Sequence, residues 1–183
     1  MNKTQLFAGV VGVLAAASAM AQGQFNFNNL TAVGGSRQLI FNQNGVAIAG
    51  ANYLVDVLVK NPTSGTYQQV QKAGVTYTGS APLTGANAGL FSGGVLTVPF
   101  VAGGASADLL VRAWDVTSGA TFDAALYKNS IKLTIAALGD PNAAPPTTPA
   151  AIVNFASFAL VPEPSTYALA ALGLGGLLLF RRK

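Results

Sequence analysis

Side chains that could perform acid–base or nucleophilic chemistry are few in this chain of 183 residues. It has no histidine and no cysteine, which excludes imidazole bases, thiolate nucleophiles, disulfides and most zinc sites. Glycoside hydrolysis commonly needs two facing carboxylates, but the five aspartates are scattered along the sequence and the single glutamate lies near the C-terminus. No G-x-S-x-G, S-x-x-K or D-x-D-x-D-G motif occurs. We therefore expect no enzyme activity, no catalytic residue, no cofactor and no metal site.

The charge of the chain is small and is concentrated at its two ends. Ten basic residues outnumber six acidic ones, but Lys3 lies at the N-terminus and Arg181, Arg182 and Lys183 close the C-terminus. Without those four, six basic residues balance six acidic ones. A nucleic-acid-binding protein would carry a basic patch on its folded body, so we expect no nucleic-acid partner.

The elements between the two ends have the pattern of an all-β protein. Alternating apolar residues predict strong strands over residues 53–60 and 108–115, and a final strand over 152–160. About eight such strands, separated by Gly- and Pro-containing turns, favour a single antiparallel β-sandwich or jelly-roll-like ectodomain. The one predicted helix within this body is short and covers Thr121–Tyr127.

The N-terminal segment, residues 1–21, has the three parts of a secretory signal peptide. Lys3 supplies the positive charge, a 12-residue apolar stretch follows, and Ala19 and Ala21 are the small residues that signal peptidase requires. Cleavage after Ala21 would leave Gln22 as the new N-terminus. A signal helix with signal peptidase as its partner is our prediction, and a buried N-terminal helix is the alternative.

The C-terminus contains three successive segments. Six residues of sequence V-P-E-P-S-T precede an uncharged apolar run, residues 167–180, and the chain ends in R-R-K; the six are Val161, Pro162, Glu163, Pro164, Ser165 and Thr166. Fourteen helical residues span only about 21 Å, so length alone makes a membrane crossing marginal. The absence of charge within the run and the basic residues Arg181, Arg182 and Lys183 favour a single transmembrane helix with a cytoplasmic C-terminus, the basic residues acting as a membrane stop.

This combination of motif, apolar run and basic tail resembles the PEP-CTERM sorting signal of Gram-negative bacteria. The resemblance implies that a membrane protease-transpeptidase, exosortase, recognises the chain near Pro162, Glu163 and Pro164 and removes the tail. The protein would be transiently anchored in the inner membrane and then reach the cell surface or the extracellular space. A permanent membrane anchor behind a stiff proline spacer is the alternative. The expected organisation is a signal peptide (1–21), a β-rich ectodomain (22–160) and a sorting signal (161–183).

One internal pattern could supply a ligand site. Arg112-Ala113-Trp114-Asp115, followed by S-G-A-T-F at residues 118–122, resembles a pattern of small exported β-proteins that carry the same kind of tail. Arg112, Trp114 and Asp115 could form a platform on which a sugar stacks. We favour the structural interpretation, in which Trp114 fills the core and Asp115 caps the following turn.

Two functions are consistent with these observations. The first is a non-catalytic exported protein of the cell surface or extracellular matrix. The second is a carbohydrate-binding β-sandwich module of the exopolysaccharide matrix, with exopolysaccharide as its partner. The candidate sugar-contacting residues for the second are Tyr53, Tyr67, Tyr77, Trp114, Asn42 and Asn44.

Overall fold

Twelve β-strands and one short 3-10 helix, Gly85–Asn87, make up the regular structure of the computed structural model, which describes residues 22–31 and 36–163. The strands are β1 Gln22–Asn28, β2 Ile40–Phe41, β3 Tyr53–Lys60, β4 Tyr67–Gln69, β5 Gln71–Lys72, β6 Val75–Thr76, β7 Ser92–Ala102, β8 Ala107–Asp115, β9 Tyr127–Ile135, β10 Ala150–Ala151, β11 Phe158–Ala159 and β12 Val161–Pro162. The predicted all-β class is confirmed.

The strands form two five-stranded sheets and one small pair. The first sheet has the order β10-β1-β7-β5-β6 and the second has the order β12-β9-β8-β3-β4, while β2 and β11 pair separately. All pairings between the long strands are antiparallel, and only the two-residue strands β10 and β11 pair in parallel. The second sheet carries Arg112–Asp115 in β8 and the motif residues Val161–Pro162 in β12.

The hydrophobic core contains the inward-facing side chains of both sheets in one cluster. Alternate residues of β3 and β8 from the second sheet, and of β1 and β7 from the first, are fully or almost fully buried: Val55, Val57, Val59, Leu109, Val111, Ala113, Phe25, Phe27, Leu96 and Val98. Each large side chain buried in this way stabilises the fold by about 1.5–3 kcal/mol. The strict alternation means that their sequence neighbours point to the outer faces of the sheets.

The predicted helix over Thr121–Tyr127 is wrong, because this segment is a turn that leads into β9. A single backbone hydrogen bond, from the N–H of Ala125 to the carbonyl of Thr121, has the spacing of a helical turn. The next N–H groups, of Leu126 and Tyr127, instead donate to the side-chain hydroxyl of Ser118. This competition from a side chain ends the turn after one hydrogen bond.

The predicted final strand over residues 152–160 is also wrong in its extent. Ile152, Phe155 and Leu160 are buried, but residues 152–157 belong to no strand. The segment moves between sheets instead: β10 joins the first sheet, β11 joins β2, and β12 joins the second sheet. A spacing of three between Ile152 and Phe155 is incompatible with a continuous strand that faces one core.

The two predicted flanking helices lie outside the described residues, since the signal segment 1–21 and the apolar run 167–180 are not among them. Over the part of the chain that the structure describes, no helix has the length and hydrophobicity needed to cross a membrane.

Candidate functional site

Arg112 lies on the outer face of the second sheet, directly opposite Asp56 of β3. Its neighbours Val111 and Ala113 fill the core, so its side chain points the other way. Arg112 Nε donates to Asp56 Oδ1 at 2.9 Å, and Arg112 Nη2 forms the second arm of the pair with Asp56 Oδ2. The register of β3 and β8 therefore builds a two-pronged ion pair.

The carboxylate of this ion pair is almost completely shielded from solvent, while the Arg112 side chain is 16% exposed. Asp56 is only 3% exposed, and its burial raises the pKa of its carboxyl group, although the hydrogen bond and the charge of Arg112 act in the opposite direction. The hydrogen bond to Asp56 raises the pKa of Arg112. Because each charged group already has the other as its partner, the pair indicates a structural role.

Trp114 is buried on this same outer face and is not part of the core between the sheets. It is 4% exposed, because Phe122 from the following loop covers it with an edge-to-face contact at 6.1 Å between ring centroids. The guanidinium carbon of Arg112 lies 4.9 Å from the centroid of the same Phe122 ring. The fold thus brings Trp114 and Arg112 together. Because so little of the indole is exposed, it has no free face on which a sugar could stack.

The loop that carries Phe122 is closed by the other residues of the pattern. Asp115 Oδ1 accepts from the N–H of Thr117 at 2.9 Å and from its hydroxyl at 2.6 Å, which caps the turn after β8. The Ser118 hydroxyl donates to the carbonyl of Asp115 at 2.8 Å. Gly119 lies directly against the backbone of Ala124, where no side chain would fit. The pattern R-A-W-D…S-G-x-T-F therefore describes a loop folded onto a sheet face.

Lys128, which sequence reasoning missed, completes this group of residues. It lies opposite Trp114 in the register of β8 and β9 and is 8% exposed. Its Nζ donates to the carbonyl of Asp123 at 2.7 Å and lies 5.3 Å from the centroid of the Phe122 ring. We call Asp56, Arg112, Trp114, Phe122 and Lys128 the outer cluster.

The first half of the V-P-E-P-S-T segment is attached to the folded body next to the outer cluster. β12 pairs antiparallel with β9, with Val161 opposite Lys128 and Pro162 opposite Tyr127. The N–H of Glu163 donates to the carbonyl of Leu126 at 2.9 Å. The Glu163 carboxylate lies 2.8 Å from Lys128 Nζ. We call Val161–Glu163 the docked segment.

Other predicted site residues fall partly outside the described residues. Pro164, Ser165 and Thr166 of the motif, the membrane-stop residues Arg181, Arg182 and Lys183, and the cleavage residues Ala19 and Ala21 are all among these. Gln22, the predicted mature N-terminus, is the first residue of β1 and lies opposite Ala102 of β7. The processing predictions at both ends stay predictions.

Three of the candidate sugar-contacting residues, Tyr77, Asn42 and Tyr53, are engaged in the fold, whereas Tyr67 is half-buried in β4 and Asn44 is exposed. Tyr77 is 5% exposed and packs edge-on against Phe27. The Asn42 side chain accepts from the N–H groups of Asn44 and Val46, both at 3.0 Å, and so closes a turn. Tyr53 is partly buried against the core.

Five of the six carboxylates of the described residues are engaged locally, the exception being the exposed Asp123. Besides Asp56, Asp115 and Glu163, the Asp108 carboxylate accepts from the Thr134 hydroxyl at 2.8 Å and Asp140 accepts from the N–H of Asn142 at 2.9 Å. Within residues 22–31 and 36–163, no three acidic side chains lie close enough to hold a metal ion.

Comparison with known protein families finds a PEP-CTERM protein-sorting motif over residues 160–183. It begins one residue before the predicted segment and includes the whole of the docked segment. No curated protein and no solved structure matches the chain. The motif implies an exported protein that transits the membrane and is processed by exosortase. The chain therefore carries a PEP-CTERM protein-sorting motif at its C-terminal end.

Proposed function

We propose that this protein is a non-catalytic component of the cell surface or extracellular matrix, delivered there by exosortase-dependent sorting. The observation that carries the proposal is that the β-rich body continues, without a linker, into a sorting motif. In this proposal the signal peptide starts export, the tail holds the chain briefly in the inner membrane with its C-terminus in the cytoplasm, and processing releases the body.

The engagement of four of the five aspartates supports the proposal of a body without catalytic activity. A general acid or base needs a carboxyl group that is free to exchange its proton with a substrate. Asp56 is paired with Arg112, Asp115 and Asp140 cap turns, and Asp108 is bonded to Thr134. Each of these four carboxylates is already hydrogen-bonded within the fold.

The low charge of the body supports a role in a matrix. Six basic and six acidic residues balance between Gln22 and Glu163. A body with so little net charge has no strong long-range repulsion from other copies of itself or from neutral polysaccharide. Association in a surface layer would then depend on short-range contacts, such as those of the sheet edges.

The test compares the natural host with a strain that lacks exosortase. We expect the wild-type strain to release or display a protein without its apolar tail, and the deletion strain to accumulate a longer form in the membrane fraction. Immunoblots of membrane, surface and medium fractions, with intact mass spectrometry, measure this. Equal distribution and equal mass in both strains would overturn the sorting part of the proposal.

A second experiment tests the absence of catalysis. Protein recovered from the cell surface should show no turnover on panels of polysaccharides, esters and peptides. Turnover that disappears when one aspartate is replaced by asparagine, while the protein stays folded, would show that the body is an enzyme.

A further inference from the structure

Three contacts attach the sorting motif to the folded body. β12 contributes backbone pairing with β9, the N–H of Glu163 is bonded to Leu126, and the Glu163 carboxylate is paired with Lys128. The last of these contacts involves the side chain that distinguishes the P-E-P core of the motif from an ordinary proline-rich stretch.

We infer that Lys128 is a positioning residue for sorting, because it holds Glu163 on the edge of β9 and the motif must leave that edge before exosortase can bind it. This inference rests on the proposed exosortase-dependent sorting. A protease that binds its substrate as an extended strand pairs with the same backbone groups that β9 uses. A basic recognition pocket would also compete with Lys128 for the one carboxylate of Glu163.

The surroundings of Lys128 suit it to this task. The residue is 8% exposed, while the Glu163 side chain is 55% exposed. Two contacts, with the Asp123 carbonyl and with the ring of Phe122, hold the ammonium group in place independently of Glu163. A preorganised cation loses little conformational freedom when it binds its partner. The loop with Phe122 thus links the R-A-W-D pattern to the sorting motif.

The attachment is weak enough to be reversible. β12 has two residues, and one partner of the ion pair is more than half exposed to solvent. Exposed ion pairs contribute little and are weakened by salt. Docking therefore slows the capture of the motif and does not block it.

The first test follows maturation of the full chain in its natural host by pulse-chase labelling. Lys128→Met removes the charge but keeps an apolar stem of similar length over Phe122. We expect this variant to mature about two- to fivefold faster than the wild type. Lys132→Met is the matched control, because Lys132 lies on the same face of β9 and is exposed. It should mature at the wild-type rate, and Lys128→Arg should restore slow maturation.

The second test measures docking itself, by hydrogen exchange at the Glu163 amide of the purified full chain in detergent. We expect faster exchange in Lys128→Met and in Glu163→Gln, and wild-type exchange in Lys132→Met. The Glu163→Gln variant changes an exposed residue at a sheet edge, so it keeps the measurement valid if Lys128→Met does not fold.

The outcomes separate this inference from the proposed function. Wild-type or slower maturation of a folded Lys128→Met variant would overturn the role of Lys128 and leave exosortase sorting intact. Unchanged amide exchange in Glu163→Gln would overturn it as well. Equal maturation of the wild type with and without exosortase would instead overturn the proposed function.

Discussion

At the residue scale, the polar groups buried in this protein divide into those with partners and those without. Asp56 and Arg112 satisfy each other on the outer face of the second sheet. The Tyr77 hydroxyl and Trp114 Nε1 are buried and have no hydrogen-bond partner among the described residues. A buried polar group without a partner costs free energy, while a paired one becomes costly when its partner is removed. The two kinds of group therefore respond differently to substitution.

Replacing Asp56 by alanine should lower the free energy of unfolding by about 3 kcal/mol, since the largely buried Arg112 would be left without its counter-charge. Replacing both residues by leucine should recover most of that loss, because no unpaired charge remains. Urea unfolding of the purified proteins, followed by tryptophan fluorescence, measures both values. An Asp56→Ala protein as stable as the wild type would show that Arg112 reaches solvent in the folded state.

Tyr77 should make the protein less stable at high pH. Burial, as the largest cause, raises the pKa of Tyr77 from 10.0 to about 12, and the charge of Asp56 also raises it. Ser80 acts in the opposite direction, although neither hydroxyl has a partner in hydrogen-bonding geometry among the described residues. Between about pH 10 and 12 the folded state keeps a proton that the unfolded state loses. The free energy of unfolding therefore falls as pH rises through that window.

Tyr77→Phe removes both this proton and a buried hydroxyl without a partner, so the variant should be at least as stable as the wild type at pH 8. Its advantage over the wild type should grow by about 1.4 kcal/mol between pH 8 and pH 11. Urea unfolding at pH 8, 10 and 11 measures it, with Tyr67→Phe as the control on a half-buried tyrosine. Parallel pH profiles of wild type and Tyr77→Phe would contradict the prediction.

At the scale of elements, the loop between β8 and β9 covers part of the outer face of the second sheet and so limits what that face can bind. It folds back over Trp114 and is closed by Asp115 and Ser118. Because β9 follows immediately, the same loop positions Lys128 and the docked segment. A change in the loop should therefore alter both the environment of Trp114 and the attachment of the docked segment.

Gly119→Ala should open this loop, because a methyl group at position 119 would collide with the backbone of Ala124. Overpacking of this kind costs about 1–3 kcal/mol. We expect a red shift of the Trp114 fluorescence emission as the indole becomes hydrated, and faster quenching by acrylamide. Ala120→Ser, at the exposed neighbouring position, is the control and should leave the emission unchanged.

At the scale of the whole molecule, the folded body and the processing signal overlap in sequence. The sorting motif covers residues 160–183, and β12 occupies Val161–Pro162. Cleavage on the C-terminal side of Glu163 would leave β12 in the mature protein, whereas cleavage before Val161 would remove a strand from the edge of the second sheet.

We predict a mature protein that begins at Gln22 and ends close to Pro162, Glu163 and Pro164. The basic residues at the C-terminus resist translocation, because moving each charge through hydrocarbon costs about 2.5–3.5 kcal/mol. Replacing Glu163 and both prolines should leave a membrane-bound form longer by about 20 residues. Intact mass spectrometry of surface material decides the end points. Wild-type surface protein that still ended at Lys183 would identify the tail as a permanent anchor.

The sequence alone determined the all-β class and the sorting motif, because both are local. Alternation over Tyr53–Lys60 depends only on neighbouring residues, and the V-P-E-P-S-T segment is contiguous. Which sheet face the loop covers, and hence the burial of Trp114 outside the core, depends on contacts that appear only in the folded chain. The contact between Lys128 and Glu163 depends on the fold in the same way. Between the two residues the chain pairs with the first sheet through β10 and with β2 through β11, and only then returns to β9 through β12. Alternation separates a strand's two faces, but contacts between segments distant in sequence determine what lies against each face.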